Sequence, residues 1–253
     1  MGTRKVARSE VRSYVNDFET KEYLRQYYAS VEGDPDEELF TPFHRKQIEF
    51  YKKHSSKWDC KTARLLEFSG EERGEIELWK FEKEGAHDWS GHFKFAVNKL
   101  ENMTGDATTS LNWRDRETLL RQRITEIIGC DICQDYALSR KQDPFNVIST
   151  SHTLEVICGT LFEYKAAVKK LVSLLKPGGF LTMFADECQT FYTIGQKKWP
   201  CLYITLEQVK EALSDAGMMV VVAEHKEASM EQLQNPTTSD HKAMLFVAAQ
   251  RVE

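Results

Sequence analysis

The sequence has no apolar run near the ~20 residues that a membrane-spanning helix requires. Its first residues, Met1–Lys5, do not lead into the apolar segment of a secretory signal. Val6 stands where a myristoylation motif has Ser or Thr. We therefore expect a cytoplasmic protein with no membrane partner.

Basic residues do not outnumber acidic ones in this sequence. The chain has 34 Lys and Arg against 39 Asp and Glu, a formal net charge of -5, and its basic residues are dispersed among the acidic ones. Nothing in this pattern favours binding to the phosphate backbone of a nucleic acid. We expect no nucleic-acid partner and a monomeric chain.

The six cysteines lack the dense spacing of a secreted disulfide framework, so free thiols are predicted. Cys130 and Cys133 form a C-x-x-C pair, but no second Cys pair and no His pair follows at the spacing of a zinc site. We predict no metal site.

The segment from Leu161 to Ala185 is typical of a parallel α/β sheet. Before Pro177, apolar residues recur every three or four positions and predict one buried helix face: Leu161, Tyr164, Val168, Leu171, Val172 and Leu175. Pro177 ends the helix, and Gly178 and Gly179 supply the positive φ of a turn. Phe180–Ala185 and Phe145–Thr150 are apolar on both faces, as strands covered by helices are.

The remaining pattern predicts further elements around this unit. Strands are expected at 62–68 and, very short, at 129–132, and residues 93–103 fit a strand that turns into a helix. Met218–Ala223 and Ala243–Ala249 are two apolar strands that we expect to pair antiparallel at the end of the sheet. Helices are predicted over 19–31, 37–54, 71–83, 113–128 and 205–216, the last with a capping box of Thr205 and Gln208.

Three sets of residues carry a resemblance to a known family. They are Tyr23-Leu24 with Tyr27-Tyr28; Asp88-Trp89-Ser90 with Cys130-Asp131-Ile132; and Ser173–Leu181 followed by Tyr192 and Ile194-Gly195. In order and spacing the chain resembles the small-molecule N-methyltransferases that act on nicotinamide, phenylethanolamine and indolethylamine and use S-adenosylmethionine. The resemblance covers most of residues 11–250.

This resemblance implies a doubly wound, Rossmann-like methyltransferase sheet with a terminal antiparallel strand. Residues 1–58 are expected to form an N-terminal helical cap of the same domain as residues 59–253. The expected cofactor is S-adenosyl-L-methionine, at the carboxyl ends of the first strands, where open α/β sheets bind ligands. The implied cofactor-binding residues are Tyr23, Tyr28, Glu67, Ser69, Gly70, Asp131, Ile132 and Ser151.

On the substrate side, the resemblance implies an acid, either Asp186 or Glu187, as the catalytic residue. Tyr192 and Cys201 are the implied substrate-binding residues. A pyridine nitrogen needs no base, whereas an amine arrives as an ammonium and gives the acid a role as base or cation anchor. His152 could be a ligand or a proton shuttle, but we interpret it as lining the pocket rim or packing beside Leu154. The substrate is a small nitrogenous compound of either type.

The sequence departs from the family after the first strand. A strand–helix–strand unit takes ~30 residues, yet the residues after Gly70 already resemble the helix that follows the second strand. Roughly two dozen residues are thus missing, and with them the glycine-rich loop, one helix and one strand with its ribose-binding acid. The apolar edge of the first strand should then be exposed. The alternative function is a truncated family member with weak or no cofactor binding.

Overall fold

The computed structural model describes residues 19–28, 37–59, 62–69, 73–101, 112–234 and 236–252. These residues fall into two compact units. One unit contains the described residues within 56–69 and 129–252, and the other contains those within 20–55 and 73–128. The predicted helical cap over residues 1–58 stays a prediction.

The first unit is built on a five-stranded sheet with the order β1-β2-β3-β7-β6. β1, β2 and β3 are parallel, and β7 pairs antiparallel with both β3 and β6. This arrangement confirms the predicted parallel sheet with a terminal antiparallel pair. The strands are β1 Leu65–Phe68, β2 Phe145–Ser151, β3 Leu175–Glu187, β6 Met218–Glu227 and β7 Ala243–Arg251.

Burial follows the position of each strand in the sheet. Residues 180–185 of β3 and 243–249 of β7 are buried on both faces, whereas exposed and half-buried residues alternate along β6 after Met218, at the sheet edge. The predicted face of the helix before Pro177 is buried at Tyr164, Val168 and Leu171. The helices of this unit are α6 Leu154–Ile157, α7 Leu161–Ser173, α8 Leu206–Asp215 and α9 Met230–Gln234.

The predicted turn at Pro177 is an irregularity within β3. Phe145 pairs with Leu175 but Val147 pairs with Phe180, so Lys176–Gly179 forms extra chain on one side of the ladder. Gly178 has φ +72°, as predicted, but Gly179 does not have the positive φ expected of it. Gly179 is instead required by close approach, because a Cβ there would lie 2.9 Å from the Lys176 carbonyl oxygen and 3.0 Å from that of Asn146.

A second, two-stranded sheet of β4 Phe191–Ile194 and β5 Lys197–Pro200 follows β3. The sequence pattern did not indicate this antiparallel hairpin, although Gly195, with φ +57°, supplies the turn.

The capping box is confirmed, since the Gln208 side chain accepts from the Thr205 backbone N–H and the Gln208 backbone N–H donates to Thr205 Oγ1. The expected short strand at 129–132 is reduced to one bridge between Cys130 and Leu138.

The second unit is helical over its described residues. Its helices are α1 Thr20–Tyr27, α2 Glu37–His54, α3 Arg73–Lys80, α4 Ser90–Phe95 and α5 Trp113–Arg123. The prediction of a strand at the start of 93–103 is wrong, because α4 covers residues 93–95 and continues as a π-helical turn over Ala96–Glu101. Helix α5 ends five residues earlier than predicted, since Ile124 has an extended backbone. No helix among the described residues has both the length and the apolar character to cross a membrane.

β1 lies at the edge of the five-stranded sheet, and no strand within the described ranges pairs with its outer side. Leu65 is 56% exposed there. This agrees with the exposed edge expected from the missing segment, because the second strand of a doubly wound sheet would otherwise pair with β1.

The close approach at Gly179 can be tested by substitution. We expect Gly179→Ala to destabilise the protein by about 1–3 kcal/mol, because the added Cβ meets two carbonyl oxygens of fixed strands. Gly91→Ala, in α4, is the matched control, since its Cβ meets nothing within 4 Å, and it should leave stability unchanged or raise it by up to about 1 kcal/mol. Urea unfolding of the two variants measures the difference, and equal effects would contradict the proposed role of Gly179.

Candidate active site

The carboxyl ends of β2 and β3 form the site, and a sharp turn after β2 positions its first residues. The turn begins at His152, whose φ of +45° is in the left-handed region that few side chains adopt. The His152 backbone N–H donates to the carbonyl of Phe184 in β3, 3.0 Å away. Thr153 Oγ1 donates to the Ser151 carbonyl at 2.7 Å, and α6 then starts at Leu154. These bonds hold the His152 side chain beside the end of β3.

Two carboxylates and one imidazole converge at this turn. His152 Nδ1 lies 3.3 Å from Asp186 Oδ2 and 3.9 Å from Glu155 Oε1. Glu155 Oε1 also accepts the backbone N–H of Asp186 at 3.3 Å. The Glu155 side chain is only 2% exposed, and that of Asp186 is 15% exposed. We call these three residues the acidic cluster.

The two carboxylates differ in acidity. Burial, opposed in part by His152, raises the pKa of Glu155 to about 7. Burial also acts to raise the pKa of Asp186, but His152 and His241 outweigh it, so that pKa is below its usual value. Near neutral pH, Asp186 is therefore charged while Glu155 exchanges its proton.

Cys201 lies near the acidic cluster. The Leu202 backbone N–H donates to the Glu155 carbonyl at 2.7 Å, which fixes the chain after β5 against α6. Burial raises the pKa of the Cys201 thiol, and the charges of Glu155, Asp186 and Asp240 raise it further, so the thiol is neutral. Tyr192 lies in β4, buried opposite Trp199.

Glu187 has a different environment from Asp186, although the sequence left the choice between them open. Glu187 Oε1 accepts the Leu206 backbone N–H at 2.7 Å, at the first residue of α8. Its Oε2 lies 3.4 Å from His225 Nε2 in β6. These contacts are those of a helix-capping acid. Asp186 is thus the acid that the structure places in the cluster.

The residues implied for the cofactor start at the end of β1. Glu67 is exposed in β1 and pairs with Ser149, and the Ser69 carbonyl lies 4.0 Å from Cys130 Sγ. This contact joins the end of β1 to the loop that carries Asp131. Gly70 lies outside the described residues. Ser151 ends β2.

Asp131 and Ile132 lie in a well-defined loop. Asp131 Oδ1 accepts the Cys133 backbone N–H at 2.9 Å, and its Oδ2 accepts from Gln134 Nε2 at 3.0 Å. Both bonds lower the pKa of Asp131, the Gln134 bond more than the other. Ile132 is buried, and its carbonyl accepts from Lys170 Nζ at 2.7 Å. The loop therefore presents an ionised carboxylate beside a fixed apolar side chain, a combination that fits an adenine.

Tyr23 and Tyr28 belong to an aromatic group in the helical unit. Their ring centroids are 5.7 Å apart, and the Tyr28 ring lies 5.5 Å from Trp89 in an edge-on arrangement. Trp89 comes from the Asp88-Trp89-Ser90 turn, where Asp88 accepts the Ser90 backbone N–H. Two of the segments that carry the family resemblance, Tyr23–Tyr28 and Asp88-Trp89-Ser90, thus meet within this unit.

A family model described as the NNMT/PNMT/TEMT family matches residues 49–252. The chain belongs to this family. It is therefore an S-adenosyl-L-methionine-dependent N-methyltransferase by descent, with the predicted Rossmann-like fold and cofactor. The sequence prediction of the family is confirmed.

Among curated relatives, mouse indolethylamine N-methyltransferase is 25% identical over 263 aligned positions, which cover 94% of each chain. Human nicotinamide N-methyltransferase is 28% identical and covers 62% of this chain and 57% of its own length. Human phenylethanolamine N-methyltransferase is 24% identical, covering 74% of this chain and 64% of its own.

Sequence reasoning missed Glu155. It lies in an apolar segment, Leu154–Cys158, where a single acid could equally be a solvated residue on a helix surface. Only the register of β2 against β3 turns that acid toward Asp186. The signal that could have found it is its place three residues after His152 and directly after a strand, where open sheets collect functional side chains.

The raised pKa of Glu155 predicts a pH dependence of stability. Between 4.5, the usual value for Glu, and about 7, the folded protein binds a proton that the unfolded chain has lost. Stability therefore falls as pH rises through this window, by up to about 3 kcal/mol from this group. The lowered pKa of Asp186 acts separately, below 3.8, where stability is lost as pH falls.

We expect Glu155→Gln to remove this loss between pH 5 and pH 8, because the amide keeps an acceptor for the Asp186 N–H and does not ionise. The measurement is denaturant unfolding at several pH values. Glu211→Gln is the control, since Glu211 is 57% exposed on α8. Its free energy of unfolding should depend on pH as that of the unsubstituted protein does. If the free energy of unfolding changes with pH in the same way in all three proteins, Glu155 does not titrate in this window.

Proposed function

We propose that the chain methylates a small amine that arrives as an ammonium ion. The observation that supports this choice is the acidic cluster, in which Glu155 and Asp186 face one another in a buried place. Two carboxylates held out of water favour the binding of a cation, because positive charge offsets the cost of their burial. An ammonium would add to the compensation that His152 gives Asp186, whereas a neutral pyridine ring such as that of nicotinamide would not.

The two carboxylates have complementary tasks in this proposal. Asp186, which stays ionised, anchors the ammonium. Glu155, with a pKa of about 7, accepts the proton that the nitrogen must lose before its lone pair can attack, since a base works best when its pKa is near the working pH. Tyr192 and Cys201 are proposed to contact the rest of the substrate. Cys201 is suited to this as a neutral, buried thiol.

Bound S-adenosyl-L-methionine supplies an electrophilic methyl group on a sulfonium. The loop of Asp131 and Ile132 is proposed to hold its adenine, with Ser151, Glu67 and Ser69 at the ends of β1 and β2. Gly70, Tyr23 and Tyr28 are proposed as further cofactor contacts on the family resemblance alone. The chain's own contribution to methyl transfer is then to hold the nitrogen in line and to exclude water. No side chain has to form a covalent bond.

The second candidate function is a family member with weakened cofactor binding. It is favoured by the outer edge of β1, where the described residues provide no strand to carry a ribose-binding acid.

Cofactor binding separates the two candidates. We expect isothermal titration of the full chain with S-adenosyl-L-methionine to give a dissociation constant weaker than micromolar, because lost ribose contacts each contribute about 1.5–3 kcal/mol. Inserting after Gly70 a glycine-rich loop, a helix and a strand that ends in an acid, as a doubly wound sheet has there, should tighten binding at least tenfold. Micromolar binding by the unaltered chain would rule out the weakened site.

The choice of substrate is tested at millimolar cofactor, so that weak binding does not hide turnover. Methyl transfer should be faster to a primary arylalkylamine, which is an ammonium ion at neutral pH, than to nicotinamide. Asp186→Asn should raise the KM for the amine tenfold or more, because it removes the anchoring charge. Glu187→Gln is the matched control and should change KM less than twofold, since Glu187 binds the α8 N-terminus. Faster methylation of nicotinamide than of any amine would overturn the proposal.

A further inference from the structure

The proposed function gives His152 no role, yet its backbone conformation and one hydrogen bond fix its position. Its backbone adopts φ +45° and is tied to β3 through the Phe184 carbonyl. A non-glycine residue in this conformation is unfavourable and persists where the surrounding structure requires it. The result is that one ring nitrogen, Nδ1, faces Asp186 at 3.3 Å and Glu155 at 3.9 Å.

We propose that His152 is a positioning residue that gives the two buried carboxylates different tasks, by holding Asp186 as the fixed anion and leaving Glu155 to take the proton of the substrate. The inference rests on the proposed methylation of an amine. Its basis is the asymmetry of the cluster, since the imidazole is nearer to Asp186, while Glu155 Oε1 is already engaged by the Asp186 backbone N–H.

The asymmetry matters because two adjacent carboxylates otherwise compete for a single charge. Two such groups without a cation repel each other, and one of them takes up a proton. The imidazole of His152 determines which one, because its Nδ1 lies closer to Asp186 than to Glu155. The lowered pKa of Asp186 and the raised pKa of Glu155 agree with this order.

The other groups around the cluster do not provide the same effect. His241 also faces Asp186, but its Nδ1 is engaged with Ser239 Oγ at 2.8 Å. The groups around Glu155, besides His152 and Asp186, have raised pKa values and are neutral near pH 7: Tyr164, Cys158 and Cys201. Of the described cations, His152 is the one placed between the two carboxylates.

The test uses His152→Asn in the full chain. Asparagine accepts the left-handed backbone better than most residues and keeps an N–H donor toward Asp186, but it does not titrate. The acid limb of the kcat/KM profile for the amine should move to higher pH by about one unit, because a cation that lowers the pKa of Glu155 is gone. An unchanged profile would mean that His152 is only structural.

An NMR titration of the His152 ring gives a readout that does not depend on turnover. Its signal is the one absent from His152→Asn. In Asp186→Asn its midpoint should fall by about one pH unit, since the facing anion is removed. The control is the His225 signal, which should not move, because His225 faces Glu187.

The outcomes separate the two proposals. If no amine is methylated by the unsubstituted chain, the proposed function fails, while a shifted His152 midpoint still supports the charge coupling. If amines are methylated but neither the profile nor the midpoint moves, the role of His152 is overturned and the proposed function stands.

Discussion

The parallel register between β2 and β3 is the constraint on which the site depends. Beyond the irregularity at Lys176–Gly179, Ser151 at the end of β2 pairs with Phe184, so β3 continues past the end of β2 as far as Glu187. His152 then follows β2 directly beside the last residues of β3. A shift of one residue would turn Asp186 to the opposite face of the sheet. Gly178 and Gly179, far from the site, thus determine which acid the imidazole meets.

Charge within this register explains why Asp186 and Glu187 differ although they are adjacent. Neighbouring residues of a strand point to opposite faces, so one carboxylate enters the buried end of the sheet and the other meets α8 and β6. The first is compensated by a histidine and the second by a helix N-terminus. Each compensation is local, and neither acid can replace the other without a change of register.

The sequence predicted the sheet well because its strands are apolar on both faces and its turns are marked by Pro177 and Gly178. It failed where the pattern supports two answers. Phe93, Phe95 and Val97 alternate as in a strand, but the helix and its π-helical turn bury part of each side chain without a sheet. Two of the residues expected on the substrate side, Asp186 and Cys201, lie near each other in the structure, but Glu155 depends on a register that no local pattern reveals.

The acidic cluster and the proposed cofactor residues depend on different strands of the sheet. Asp186, Glu155 and His152 depend on β2, β3 and α6, which are buried and paired on both sides. The proposed cofactor residues Glu67, Ser69 and Asp131 lie in β1, just after it, and in the loop that approaches it through Cys130 Sγ, 4.0 Å from the Ser69 carbonyl. The hydrogen bonds of β2 to β3 do not pass through the outer edge of β1. Under the proposed function, a strand missing beyond β1 would therefore weaken cofactor binding while leaving the acidic cluster in place.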